Sequence, residues 1–274
     1  VRLDRALHVR GLARSRSHAQ QLIVAGAVSV QGHTQVKASF DVDDADVIEV
    51  AAQSHYVSRA AHKLLGALDA CEPLGLQVTG ASALDAGAST GGFTQVLLER
   101  GVAHVWAVDV GHGQLDPSLR ADSRVSLREG VNIRDLTAHS EGAGVDLVVA
   151  DLSFISLTHV IAPLVAYAGP TADLVVMVKP QFEVGRGHLS GRGVVTDPRL
   201  RTRAVSTVAR HMREAGLSIH HVERSPLPGP QGNVEFFVWA SQAWQARGQD
   251  AGNRPVLDEA ALSAQITQEV KKDS

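Results

Sequence analysis

The sequence predicts an α/β protein of two domains: a small N-terminal α/β module over residues 1–50, and a larger domain over residues 57–240 with a mostly parallel sheet closed by a C-terminal antiparallel hairpin. Three observations predict it. Short, nearly continuous apolar runs alternate with helical patterns, which marks strands buried on both faces and therefore a parallel sheet covered by helices. Charge is segregated near the N-terminus: Arg2, Arg5, Arg10, Arg14 and Arg16 stand against Asp4, whereas Asp41, Asp43, Asp44, Asp46 and Glu49 follow with no base among residues 41–49. The 274 residues, 44% of them hydrophobic, suffice for two cores and exclude wholesale disorder.

Composition narrows the class further. Aromatic residues are 4% of the chain, so the core must be aliphatic. Apolar runs such as Leu174–Val178 fall far below the ~20 residues of a membrane span. The opening V-R-L-D-R-A-L-H-V-R lacks the apolar stretch of a signal peptide. A single cysteine, Cys71, forbids an internal disulfide and any all-cysteine zinc site. The expectation is a soluble cytoplasmic protein. A net charge of -3 does not advertise nucleic-acid binding, but it averages over the basic segment.

In the first module, Leu3, Ala6 and Leu7 fall at helical spacing, with Gly11 as the stop. Ser17-His18-Ala19-Gln20 reads as a capping box that opens a second helix, with Ala19, Leu22 and Ile23 on its apolar face and Gly26 at its end. Ala27–Val30 and Val47–Val50 read as strands. The stretches L-D-R-A-L, G-L-A-R-S-R-S-H-A-Q-Q-L-I-V-A-G-A-V-S-V-Q-G and D-V-I-E-V resemble the S4 RNA-binding module across residues 2–50. The resemblance implies that Arg5, Arg14, Arg16 and Lys37 face RNA phosphates, which positions a protein without reading sequence.

Residues 51–56 carry little pattern and read as a linker. Val57 to Ala70 predicts a helix bearing Lys63. Strands follow at Ala83–Ala86, Val105–Val110, Val125–Arg128, Leu147–Ala150 and Leu174–Val178, with helices at Thr94–Arg100 and Leu157–Tyr167 between them. A helix near Leu200–Ala215 precedes the hairpin Ile219–Glu223 and Val234–Ala240. Residues 241–274 form a polar tail in which Pro255 and Asp258 mark a last helix, with Leu262, Ile266 and Val270 on one face and no evident role.

Chemistry concentrates at the strand ends. L-D-A-G-A-S-T-G-G-F runs from a strand through a glycine turn into a helix, an arrangement that offers free N–H groups to an anion. Three readings compete. A dinucleotide fingerprint requires glycine where Ser89 stands. Gly87–Gly91 also matches the G-x-S-x-G elbow of hydrolases, a weak five-letter match without an oxyanion-loop motif. S-adenosylmethionine needs no pyrophosphate glycine, its carboxylate suits the helix N-terminus, and Asp109 ends the next strand where an acid meets ribose hydroxyls. Asp151 and Lys179 follow two further strands, on the edge where open α/β sheets bind ligands. Glu235 begins the final strand, and Lys63 reaches over the same edge. Each charge alone reads as a cap or a surface group; their convergence does not.

This order, Lys63, Asp151, Lys179, Glu235, resembles the K-D-K-E tetrad of the FtsJ/RrmJ-type ribose 2′-O-methyltransferases. D-V-G-H-G-Q-L, V-A-D-L-S-F-I-S-L, V-K-P-Q-F-E-V-G and P-L-P-G-P-Q-G-N-V-E-F-F extend the resemblance over residues 57–240, and with the S4-like module the chain resembles the TlyA family, also called haemolysins. The chain departs from that family's pattern at His112, where Tyr is usual, and at Ser54–Val57, where R-x-W-V is usual. The resemblance implies a Rossmann-like methyltransferase domain, S-adenosylmethionine as cofactor, no metal, and cytidine ribose hydroxyls of 16S and, for some members, 23S rRNA as substrate, free or in ribosomal subunits. It implies a cofactor set of Asp85, Gly87, Ser89, Thr90, Gly91, Gly92, Phe93, Asp109, Asn132 and Asp151. Methyl transfer from a sulfonium needs an aligned oxygen whose proton can leave. Lys179 is expected to orient and deprotonate the hydroxyl and Lys63 to stabilise the developing charge, with the reverse assignment left open; Asp151 and Glu235 hold the lysines. His220-His221 reads as a strand pair, not a metal site. The segment 185–203, with four glycines and Arg186 and Arg192 at its start, is expected to be a mobile basic loop that also contacts RNA. The alternatives are a non-catalytic RNA-binding protein, separable by S-adenosylmethionine binding, and a membrane-lytic protein, separable by dye release from liposomes.

Overall fold

The computed structural model describes residues 1–24, 26–50, 55–242 and 254–272, and the chain forms two compact units, Val1–His55 and Tyr56–Ser274. Positions 51–54 of the expected linker lie outside the described residues.

In the first unit, helices α1 (Leu3–Val9) and α2 (Arg16–Val24) pack on an antiparallel sheet ordered β2-β1-β3, made of β1 (Val28–Val30), β2 (His33–Gln35) and β3 (Ile48–Val50). Leu3, Leu7, Ala19, Ile23 and Val28 form its core. The expected capping box is displaced. α2 starts at Arg16, the Ser15 hydroxyl accepts the His18 N–H at 3.1 Å, and Gln20 turns away to donate to Asp4 at 2.9 Å. Asp4 wins that competition because it is wholly buried and must be satisfied: Arg2, Arg16 and Gln20 all donate to it. The Arg2 hydrogen bond is the main reason its carboxyl lies well below the usual range, against the opposing effect of burial.

The second unit is a seven-stranded sheet ordered β6-β5-β4-β7-β8-β10-β9. β4 (Ser82–Ala86), β5 (His104–Asp109), β6 (Val125–Glu129), β7 (Val145–Ala150) and β8 (Ala168–Val178) run parallel. β10 (Phe236–Ser241) pairs antiparallel with both β8 and β9 (Ser218–Arg224), so the last strand of the chain inserts between them. Side chains alternate between two cores. Leu147, Val149, Val175 and Met177 face α3 (Ala60–Cys71) and α4 (Gly92–Glu99). Val148, Ala150, Leu174 and Val176 face α6 (Ile161–Tyr167), α8 (Pro198–Glu214) and α9 (Glu259–Lys271). This burial on both faces is why the strands read as unbroken apolar runs. Short helices α5 (Pro117–Arg120) and α7 (Pro180–Glu183) fill connections.

Three boundaries differ from expectation by three residues or more. The helix expected over Leu157–Tyr167 splits into a 3-10 turn, Leu157–His159, and α6. Pro163 has no N–H to donate and is tolerated only in a first turn, so the helix starts at Ile161. α3 begins at Ala60, three residues later than expected. β8 begins at Ala168 rather than Leu174, because its first residue pairs with Val145 across a bulge.

Residues 254–272 of the polar tail belong to the fold, and positions 243–253 lie outside the described residues. Leu262, Ile266 and Val270 enter the core, and α9 lies along the edge strand β9. Gln265 and Glu269, one helical turn apart, accept the Val222 and Arg224 N–H groups at 3.1 and 2.9 Å. An edge whose N–H groups are already bonded cannot template another strand. Arg254 pairs with buried Asp173 at 2.8 Å and lies over Trp239. No helix among the described residues is long and apolar enough to cross a membrane.

Candidate active site

The glycine turn leaves β4 at Ala86 and crosses the start of the loop after β7. At Gly87 (φ +87°) a Cβ would stand 2.7 Å from the Asp151 carbonyl oxygen, and at Gly91 (φ +101°) it would collide with Leu119. Both positions therefore require glycine. Gly92 brings α4 against the start of α3, where a Cβ would lie 3.0 Å from the Ala61 nitrogen.

Asp109, at the end of β5, accepts the Ser89 N–H at 2.8 Å and the Gly111 N–H at 2.7 Å. It thus pins the glycine turn to the next connection while facing a cleft of about 490 Å³. Gly87, Ser89, Asn132 and Asp151 line the same cleft, with Ile133 and Leu152 as apolar walls. Asn132 also accepts the Arg134 N–H at 3.1 Å, capping the 3-10 turn Ile133–Asp135. A smaller cavity of about 140 Å³ adjoins it, lined by Thr90, Gly92, Phe93, Asp151 and Lys179 among others. Gly91 lines neither of these cavities. Asp85 does not reach these walls. It is wholly buried beneath the turn and accepts the Thr94 hydroxyl at 2.6 Å; burial is the main cause that pushes its carboxyl up to about 7, with the Asp151 charge adding and the Thr94 bond opposing.

The four charged residues meet as two ion pairs. Lys179 Nζ lies 2.5 Å from Asp151 Oδ1 and donates to Ser153 Oγ at 3.0 Å. Lys63 Nζ lies 2.5 Å from Glu235 Oε2, while Gln181 donates to Glu235 Oε1 at 3.2 Å. Topology explains the meeting. β7 and β8 are neighbours, so their exits sit together, and the Phe236–Val178 register places Glu235, one residue before β10, opposite Lys179. Lys179 lines both the small cavity and a third cavity of about 500 Å³, to which Gln181, Asn233 and Glu235 also contribute. Lys63 lines none of the three. It stands behind Glu235, on the helix side, with its side chain 5% exposed.

The sequence reasoning missed the wall between the two large cavities, Ser153–Ile155, although its motif D-L-S-F-I-S-L was in view. Phe154 holds φ +63°, is 91% exposed, and its ring centroid is 5.4 Å from that of Phe182. A non-glycine residue in a left-handed conformation costs of order 1–3 kcal/mol. The glycine-rich loop is anchored at its far end: Asn233 accepts the Val195 N–H and donates to the Gly193 carbonyl, both at 3.1 Å. Arg192 is exposed, and Arg186 opens the 3-10 turn Arg186–His188. In the first unit Arg5, Arg14 and Lys37 are exposed, whereas Arg16 is committed to Asp4 at 2.9 Å. His220 is buried, with Pro255 O and Ser241 Oγ at 2.6 and 2.7 Å from its ring nitrogens.

A relative from Mycobacterium tuberculosis, the 16S/23S rRNA (cytidine-2′-O)-methyltransferase TlyA, is 52% identical over 94% of this chain and 98% of its own. Hemolysin A of Brachyspira hyodysenteriae is 38% identical over 87% of this chain and 98% of its own. A solved structure described as a hemolysin from Streptococcus thermophilus superposes with a TM-score of 0.73 at 31% identity, covering 98% of this chain and 94% of that one. The S4 domain matches residues 1–48. With the FtsJ-like methyltransferase family matching residues 56–242, across the glycine turn and all four charged residues, the chain belongs to that family.

Proposed function

We propose that the protein methylates the 2′-hydroxyl of cytidine in 16S and 23S rRNA with S-adenosylmethionine as donor. One observation carries the reading: Lys179, paired with Asp151, lines both the small cavity that adjoins the nucleoside-sized cleft and the second large cavity, which is open to a substrate. Bound S-adenosylmethionine supplies an electrophilic methyl group on a sulfonium sulfur. The cleft fits it, since Asp109 offers acceptor oxygens to ribose hydroxyls, Ile133 and Leu152 offer apolar walls to a base, and Gly87 keeps the turn clear of side chain. The target ribose enters through the larger cavity, where Phe154 offers a face on which an unstacked base can lie.

Lys179, which must first give up its own proton and stand as the neutral amine, then orients the hydroxyl and takes its proton, with Ser153 and Asp151 fixing the direction of its Nζ. Asp151 balances the charge that Lys179 gains. Lys63 is a positioning residue rather than a group that touches oxygen: it holds Glu235, and Glu235 with Gln181 forms the wall facing Lys179. This revises the role expected for Lys63 and favours Lys179 as the base. Arg5, Arg14 and Lys37 in the S4 domain, and Arg192 in the loop, supply phosphate contacts. The test is methyl incorporation from labelled S-adenosylmethionine into 30S and 50S subunits by Lys179→Ala and Asp151→Ala. Both variants should stay folded and bind RNA but lose at least about a hundredfold in turnover. Near-wild-type turnover in both would sink the mechanism.

A further inference from the structure

Two loops carry the reacting groups, and Glu183 joins them at a point away from the Lys179–Asp151 and Lys179–Ser153 contacts. The loop after β7 carries Asp151, Ser153 and Phe154, and the turn after β8 carries Lys179 and α7. At the end of α7, Glu183 accepts the Ser156 hydroxyl at 2.5 Å through Oε2 and the Leu157 N–H at 2.9 Å through Oε1. Ser156 is also the cap of the 3-10 turn Leu157–His159, so this carboxylate grips the point where the loop re-enters regular structure. Glu183 itself lines none of the three cavities described above. It sits one residue after Phe182, which packs against Phe154.

We propose that Glu183 is a positioning residue for methyl transfer, tying the Asp151–Ile155 wall to the Lys179 turn so that Lys179, Asp151 and Ser153 keep the geometry the hydroxyl needs. The proposal rests on the methyltransferase reading above. Without Glu183, the loop keeps its link to Asp151 and Lys179 at one end and loses its anchor five residues later. Phe154, already in a left-handed conformation, lies between those two points and has the most to gain by relaxing. A shift of about 1 Å in a reacting group can cost about a hundredfold in rate.

The experiment compares Glu183→Ala, Glu183→Gln and Ser156→Ala with Lys179→Ala in the full chain, using 30S and 50S subunits as substrate. Glutamine keeps both links, because its Oε1 can accept the Leu157 N–H and its amide can donate to Ser156 Oγ, whose own proton turns to Thr158 Oγ1 at 2.7 Å. Glu183→Ala should lower kcat by about 10- to 100-fold while KM for S-adenosylmethionine stays within about threefold. Glu183→Gln should recover kcat to within about threefold of wild type. Ser156→Ala, which removes one tether and keeps the other, should lower kcat by a smaller factor of about 3 to 10, so the idea stays testable if Glu183→Ala fails to fold. Normal kcat in Glu183→Ala, or equal losses in the Ala and Gln variants, overturns the proposal while an inactive Lys179→Ala leaves the methyltransferase reading standing. An active Lys179→Ala overturns both.

Discussion

Removing the charge of Lys63 tests whether the inner half of the tetrad is an electrostatic unit. The Lys63–Glu235 pair is 2.5 Å long, with side chains 5% and 0% exposed. Lys63→Met keeps most of the volume but leaves a buried carboxylate facing Gln181 alone. Breaking one partner of such a pair costs about 3–5 kcal/mol, because the remaining charge keeps its desolvation penalty and loses its compensation. For a unit of this size each kcal/mol lowers the melting temperature by about 2–4 °C, so the variant should melt roughly 6–20 °C lower. Lys63→Met with Glu235→Gln removes both charges and keeps an acceptor for the Gln181 amide; it should regain most of that loss. Turnover should stay at least about tenfold low in both variants, since Glu235 loses the lysine that holds it in the single variant and its own charge in the double. Tryptophan fluorescence reads the right transition, because Trp106 and Trp239 lie in the second unit and residues 1–55 contain no tryptophan. A single variant that melts with the wild type, or a double variant no more stable than the single, would refute the reasoning.

Two further outcomes follow from other sites. Replacing Arg5 and Arg14 by alanine should weaken RNA binding and flatten its salt slope by about 1–2 units, with S-adenosylmethionine affinity by calorimetry unchanged; an unaltered slope would mean that phosphates meet other groups. Arg16 is unsuited to that test, since its loss would also uncover buried Asp4. Asp85 in the folded chain keeps its proton between the ordinary 3.8 and about 7, where the unfolded chain has released it, so its contribution makes stability fall as pH rises through that window. Asp85→Asn should flatten that fall in denaturant titrations, and a slope identical to wild type would show that Asp85 does not titrate there.

Much of this molecule was legible because local rules act over a few residues. The runs Leu147–Ala150 and Leu174–Val178 announced buried strands, and Gly87 and Gly91 announced a turn that tolerates no Cβ. Asp109, Asp151 and Lys179 were legible as strand-end residues because parallel strands expose one edge to ligand. Local patterns misled where a distant group competed. Gln20 looked like half of a capping box until Asp4, sixteen residues away, claimed its amide. Leu262, Ile266 and Val270 had the spacing of a helix face, but nothing nearby in sequence named β9 as the surface it covers.

The sequence by itself determined the class of each element, the two-unit order of the chain, and the chemistry available at the sheet edge, since periodicity, turn residues and residue type are local properties. Tertiary structure alone decided which charges pair. Lys63 and Glu235 are separated by 172 residues, and they meet because β10 inserts antiparallel between β8 and β9. It likewise decided that Lys179 stands at the junction of the cavities and Lys63 behind it. The physical reason is that strand order and register are set by the summed burial of two whole cores, a quantity that no window of sequence contains.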